Sequence, residues 1–75
     1  MKILYDGDDP QKAVAAVRKA RGRIYVAVAG TEWSVQAYKG DLIWNMEQIG
    51  GAGLFDMSVN RHDDGEVHVF FYSQY

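Results

Sequence analysis

Residues 23–38, RIYVAVAGTEWSVQAY, read as two strands alternating about a glycine. With Gly30–Thr31 as a two-residue type II′ turn, Val28 faces Trp33, Val26 faces Val35 and Ile24 faces Ala37. That face is apolar. Tyr25, Ala27, Ser34, Gln36 and Tyr38 take the other face. A slip of one residue would put four large apolar side chains in water and two tyrosines in the core, so the register is firmly specified.

Working outward, residues 54–73 form a second ribbon whose loop length is set by side-chain parity. A two-residue Asp64–Gly65 turn would mix polar and apolar side chains on each face. A three-residue loop, Asp63-Asp64-Gly65, with Gly65 left-handed in a G1 bulge, sets Phe55, Met57 and Val59 with Phe71, Val69 and Val67. The other face then gathers Asp56, Ser58, Asn60, His62, Glu66, His68, Phe70 and Tyr72. Val67–Tyr72 is apolar enough for the sheet interior, whereas the polar alternation of 56–60 suits an edge.

Two helices and a first strand complete the chain. Lys2–Tyr5 is a short apolar strand that asks for a central position if both its faces are buried. Asp9 caps a helix that opens with Pro10 and buries Ala13, Val14, Val17 and Ala20. Gly22 is its expected stop, and Arg18, Lys19 and Arg21 offset the dipole near its end. Asp41 is the expected cap of a second helix, Leu42–Ile49, which turns Leu42, Ile43, Met46 and Ile49 inward and Trp44 outward. Gly50–Gly53 reads as its stop and a flexible connection. The order β-α-β-β-α-β-β predicts an α+β two-layer sandwich: an antiparallel five-stranded sheet with two helices on one face, a ferredoxin-like variant with an extra C-terminal strand. Residues 1–75 are read as one domain.

This element order resembles that of RNA-recognition domains, which stack bases on sheet aromatics. Their basic-Gly-aromatic-Gly motif has no counterpart in Trp33-Ser34-Val35-Gln36-Ala37-Tyr38.

Composition narrows the chemistry. A 75-residue chain buries only about 60–65% of its unfolded surface, which leaves little room for a deep pocket beside the core. With no cysteine, thiolate catalysis, disulfides and Cys-ligated metals are excluded, and a reducing cytoplasm is the expected location. MKILYDGDDP turns acidic too early for a signal peptide, and no apolar run is long enough for a membrane span. A net charge of −2 disfavours a dedicated nucleic-acid binder. No cofactor is implied.

Several clusters invite chemistry. His62 and His68 beside Asp63, Asp64 and Glu66 are a weak metal pattern. Ser58, His68 and Asp56 on a flat sheet lack an oxyanion hole and a buried base. Gly50–Gly53 follows a helix and lacks the Lys-Ser/Thr of a phosphate loop. Asp6, Asp8 and Asp9 suit a helix start.

The open sheet face is the leading candidate. Tyr25, Gln36, Tyr38, His68, Phe70 and Tyr72, helped by Trp44 and by the acidic turn of Asp63, Asp64 and Glu66, form a surface for docking on a protein target. The acidic groups point to a basic target, such as a nucleic-acid-binding complex. The expectation is a non-catalytic inhibitor or modulator, with a phage or mobile-element protein of the anti-CRISPR type as its most specific form. The alternative is a nucleic-acid binder using the same tyrosines with Arg18, Lys19, Arg21 and Arg23. Exposed edge strands also offer a route to a homodimer.

Overall fold

The computed structural model describes residues 1–28, 34–51, 53 and 55–73. Five strands, β1 (Lys2–Gly7), β2 (Ile24–Val28), β3 (Val35–Ala37), β4 (Phe55–Arg61) and β5 (Val67–Ser73), form one sheet. Helices α1 (Pro10–Lys19) and α2 (Lys39–Gly51) pack on one of its faces. No helix among the described residues is long and apolar enough to cross a membrane.

Both ribbons hold the expected parity. Ile24 pairs with Ala37 and Val26 with Val35; the Gly30–Thr31 turn and the Val28–Trp33 pair lie outside the described residues. In the second ribbon the loop has three residues, with Gly65 at a φ of 88°. The Gly65 N–H donates to the His62 carbonyl at 2.9 Å, and the His62 N–H donates to that of Glu66 at 2.8 Å. The face is as expected but the partners are displaced by one pair: Met57 is opposite Phe71 and Val59 opposite Val69, while Val67 pairs with Arg61 and Phe55 with Ser73, because a three-residue loop sets His62 opposite Glu66.

The sheet is mixed, which corrects the antiparallel, ferredoxin-like expectation. Its strand order is β1-β4-β5-β2-β3, and β2 runs parallel to β5. The reason is geometric. The crossover through α1 leaves β1 and β2 running the same way, and the β4–β5 hairpin inserts between them as a unit. Since β4 is antiparallel to β1, β5 must run parallel to β2. Such a strand has to be buried, and Val67, Val69 and Phe71 supply the side chains for it.

Two placements reverse accordingly. β1 is an edge strand, with Ile3 61% exposed, and β4 lies inside the sheet. The Asp56, Ser58 and Asn60 alternation reports which face is wet; it carries no information about lateral neighbours.

Helix α1 follows its sequence signals. Asp9 Oδ1 accepts from the N–H groups of Gln11 (2.9 Å) and Lys12 (3.4 Å), and the Asp9 N–H donates to the Tyr5 hydroxyl at 2.8 Å. The helix ends at Lys19 with Ala20 as an extended cap, ahead of Gly22. Gly22 serves a close approach instead: a Cβ there would lie 2.5 Å from the Gly65 carbonyl oxygen.

Helix α2 begins and ends beyond its expected limits. The Leu42 N–H donates to the Tyr38 carbonyl at 2.9 Å, so Asp41 lies within the first turn and is not its cap. The Lys39 ammonium anchors this end by donating to the Ala20 carbonyl at 2.6 Å and to that of Arg18 at 3.4 Å, where the α1 dipole is negative. Gly50 and Gly51 remain helical, so no flexible hinge begins at Gly50. A Cβ on Gly50 would fall 2.3 Å from Pro10 Cβ, which makes this glycine the point where the helices meet.

One core holds the layers together. Ala13, Val14 and Val17 from α1 and Leu42 and Met46 from α2 close over Ile24, Met57, Val59, Val67, Val69 and Phe71. Ile43 and Ile49 pack against it half-buried.

Candidate functional site on the open sheet face

The face away from the helices is organised in lateral rows. Register aligns Ile3, Asn60, His68, Tyr25 and Gln36 across all five strands. The next row carries Asp6, Ser58, Phe70 and Ala27, and beyond it Asp56 pairs with Tyr72. Cross-strand neighbours on one face lie close enough for rings to touch.

They do touch. The Tyr25 and His68 rings stack with centroids 5.1 Å apart, and His62 stacks on the other side of His68 at 3.9 Å. Phe70 and Tyr72 are stacked at 6.2 Å. Phe70 is 38% exposed although it lies in a central strand, because nothing among the described residues covers this face.

Carboxylates border the rings. The Tyr72 hydroxyl reaches diagonally over β4 and donates to Asp6 Oδ1 at 2.5 Å. This bond, helped by burial and by the negative charge of Asp6, pushes the Tyr72 phenol up to about 12. The neutral phenol is the donor, and its folded pKa stands above the ordinary value near 10. Its stabilising contribution is therefore complete below pH 10 and is lost as the pH rises through about 12. Ultraviolet titration of the phenolates is expected to show one late tyrosine that Tyr72→Phe removes and Asp6→Asn shifts back towards 10. A late step surviving both substitutions would contradict this assignment.

At the other end, Glu66 is shared between His68 Nε2 (3.4 Å) and the Arg23 guanidinium (3.9 Å). Asp64 accepts from the Glu66 N–H at 2.9 Å, a bond that holds its carboxyl below the usual range. Asp63 lies 3.0 Å from the N-terminal ammonium.

The structure thus brings Tyr25, Gln36, His68, Phe70 and Tyr72 onto one surface, with Glu66 at its end. Tyr38 is elsewhere. It follows β3, is 83% exposed and borders a groove on the helix side with Val26, Leu42 and Phe71. Trp44, 62% exposed, projects from α2 opposite the buried Leu42 and Met46, so it belongs to the other layer. Arg18 lies 3.6 Å from Glu47 of α2, and Lys19 and Arg21 are exposed around the end of α1. Arg18 and Lys19 belong to the last turn of α1, in the helix layer and not on the open face. Ile3 and Asp6 joined the face unannounced, because the alternation of β1 gave no hint of its neighbour.

The other constellations resolve differently. Ser58 lies opposite Phe70, and its hydroxyl accepts from the Asn60 amide at 2.8 Å. Among the described residues, no three His, Asp or Glu side chains are grouped to hold a metal ion.

Comparison with known proteins gives no match to a protein-family model, a curated protein or a solved structure.

Proposed function

We propose that the protein is a binding module whose open sheet face docks on a basic protein surface and thereby modulates or blocks it. The observation that carries this reading is the patch of Tyr25, His68, Phe70 and Tyr72, which nothing among the described residues covers and which Asp6, Asp56 and Glu66 border. Flat rings bury much area at small entropic cost, and a carboxylate border selects cations. An inhibitor of a nucleic-acid-binding protein, of the phage or mobile-element anti-CRISPR type, is its most specific form.

The same charges weigh against stacking of nucleic-acid bases on this face. Asp6 and Asp56 would repel a phosphate backbone, and Arg18 and Lys19 lie in α1, in the helix layer. Affinity capture from the native host, with the recovered protein then titrated in purified form, tests the reading. Tyr25→Ala combined with Phe70→Ala is expected to weaken binding about thirtyfold or more, as loss of central aromatic anchors does, while Trp44→Ala leaves it unchanged. Binding that survives the double substitution but is lost in Lys19→Ala/Arg21→Ala would overturn it.

A further inference from the structure

A second surface, of opposite charge, lies where α1 passes the free edge of β1. A groove of about 310 Å³ runs between them, floored by Leu4, Tyr5, Ala16 and Ala20. Its ionisable rim is formed by Lys12, Lys19 and Arg61, with no carboxylate among the lining residues. Arg61 pairs across the strands with Lys2, which adds a fourth cation nearby. Among the described residues none of these four is in an ion pair. Elsewhere cations do find carboxylates: Arg18 meets Glu47 and Arg23 meets Glu66.

The strand beside this groove is incomplete on one side. β1 ends the sheet, so its outer backbone groups have no strand partner among the described residues. A bulge between Ile3 and Tyr5 and the lysine at position 2 guard against indiscriminate pairing. A second copy of this edge would bring another set of the same cations against Lys12, Lys19 and Arg61. An acidic strand would not.

We propose that the α1–β1 groove binds an extended acidic segment of a partner protein, which adds to the sheet as a sixth strand along β1. Such a strand directs alternate side chains into the groove and the others towards Ile3 on the open face. Glutamates at the inward positions lay their methylenes on Leu4 and Ala16 and bring their carboxylates to the cationic rim. Lys12 and Lys19 are two helical turns apart, about 10 Å along α1. Inward residues of a strand recur every ~7 Å, so two successive glutamates can serve both lysines within the reach of their side chains.

The test uses an alternating Glu-Val octapeptide, with Gln-Val and Lys-Val peptides of the same length, titrated by fluorescence anisotropy at low salt. The Glu-Val peptide is expected to bind at least about tenfold more tightly than the Gln-Val peptide, with slower amide exchange along Leu4–Asp6. Lys12→Glu/Lys19→Glu, on the exposed side of α1, is expected to abolish that preference without altering the circular dichroism. Tyr25→Ala/Phe70→Ala is expected to leave peptide binding unchanged, which separates this groove from the open face. Equal affinity for the three peptides, no binding at millimolar peptide, or indifference to the charge reversal would each overturn the proposal. So would a single-stranded oligonucleotide that binds more tightly than the acidic peptide and loses affinity on the same reversal, because the groove would then be a phosphate site.

Discussion

Phe71→Ala is expected to lower the unfolding free energy by about 3–5 kcal/mol, whereas Phe70→Ala, one residue earlier, is expected to cost about 1–2 kcal/mol. Phe71 is 3% exposed in the centre of the sheet, between Met57 on β4 and Val28 on β2, and truncating it opens a cavity that its neighbours cannot fill. Phe70 points to the open face, 38% exposed, and forfeits its stacking on Tyr72 and partial burial beside Ala27 and Ser58, with no closed cavity left behind. A chain of this length has roughly 4–11 kcal/mol of stability at the usual per-residue value. The first substitution therefore removes from about a quarter to the whole of that margin, and the second leaves a variant better suited to binding assays. Urea titrations followed by circular dichroism measure both. Equal losses would refute the assignment of faces on which the proposed docking surface rests.

Gly50→Ala is expected to destabilise by about 2 kcal/mol despite the better helix propensity of alanine, and Gly51→Ala to stabilise by up to about 1 kcal/mol. The two positions are adjacent in α2, but only one is a contact. An added methyl on Gly50 meets Pro10 Cβ at 2.3 Å and Met57 Cε at 2.7 Å, whereas at Gly51 it meets nothing within 4 Å. Met57 has a flexible end that can yield. Pro10 is a ring fixed in the first turn of α1, so the helices must separate, and that outweighs the gain in propensity. Thermal melts of the two variants should move in opposite directions; a stabilised Gly50→Ala would mean that the helices are not in contact there.

What the sequence disclosed follows from the range of each signal. Parity is local and unforgiving, so Val26 opposite Val35 and Met57 on the same face as Val69 could be read from alternation, and Asp63-Asp64-Gly65 declared its own turn geometry. Asp9-Pro10 likewise marked the start of α1. Lateral order is another matter. The same alternation of β4 serves at an edge or in the interior, and only the insertion of β4–β5 between β1 and β2 decides which. Everything that depends on it was hidden, including the contributions of Ile3 and Asp6 to the open face and of Arg61 to the basic groove. Lys12 and Lys19 were visible as an outward pair on α1, but without the position of β1 they signified only solvation. The glycines misled for a related reason: Gly50 reads as a helix stop in isolation and is tolerated in α2 because Pro10 occupies the space of its side chain.

The parallel junction of β2 with β5 also bears on how the molecule comes to be assembled. Residues 24–28 hydrogen-bond to partners more than forty positions later, and β4 reaches β2 only through β5. While the polypeptide is being synthesised, β2 and β3 can pair with each other, but the gap between them and β1 stays open until residues 67–73 have left the ribosome. Such distant pairings delay folding, so closure of the sheet waits for β5, and a nascent chain stopped at Gly51 holds two helices, the β2–β3 pair and a β1 strand with nothing to bridge it to that pair.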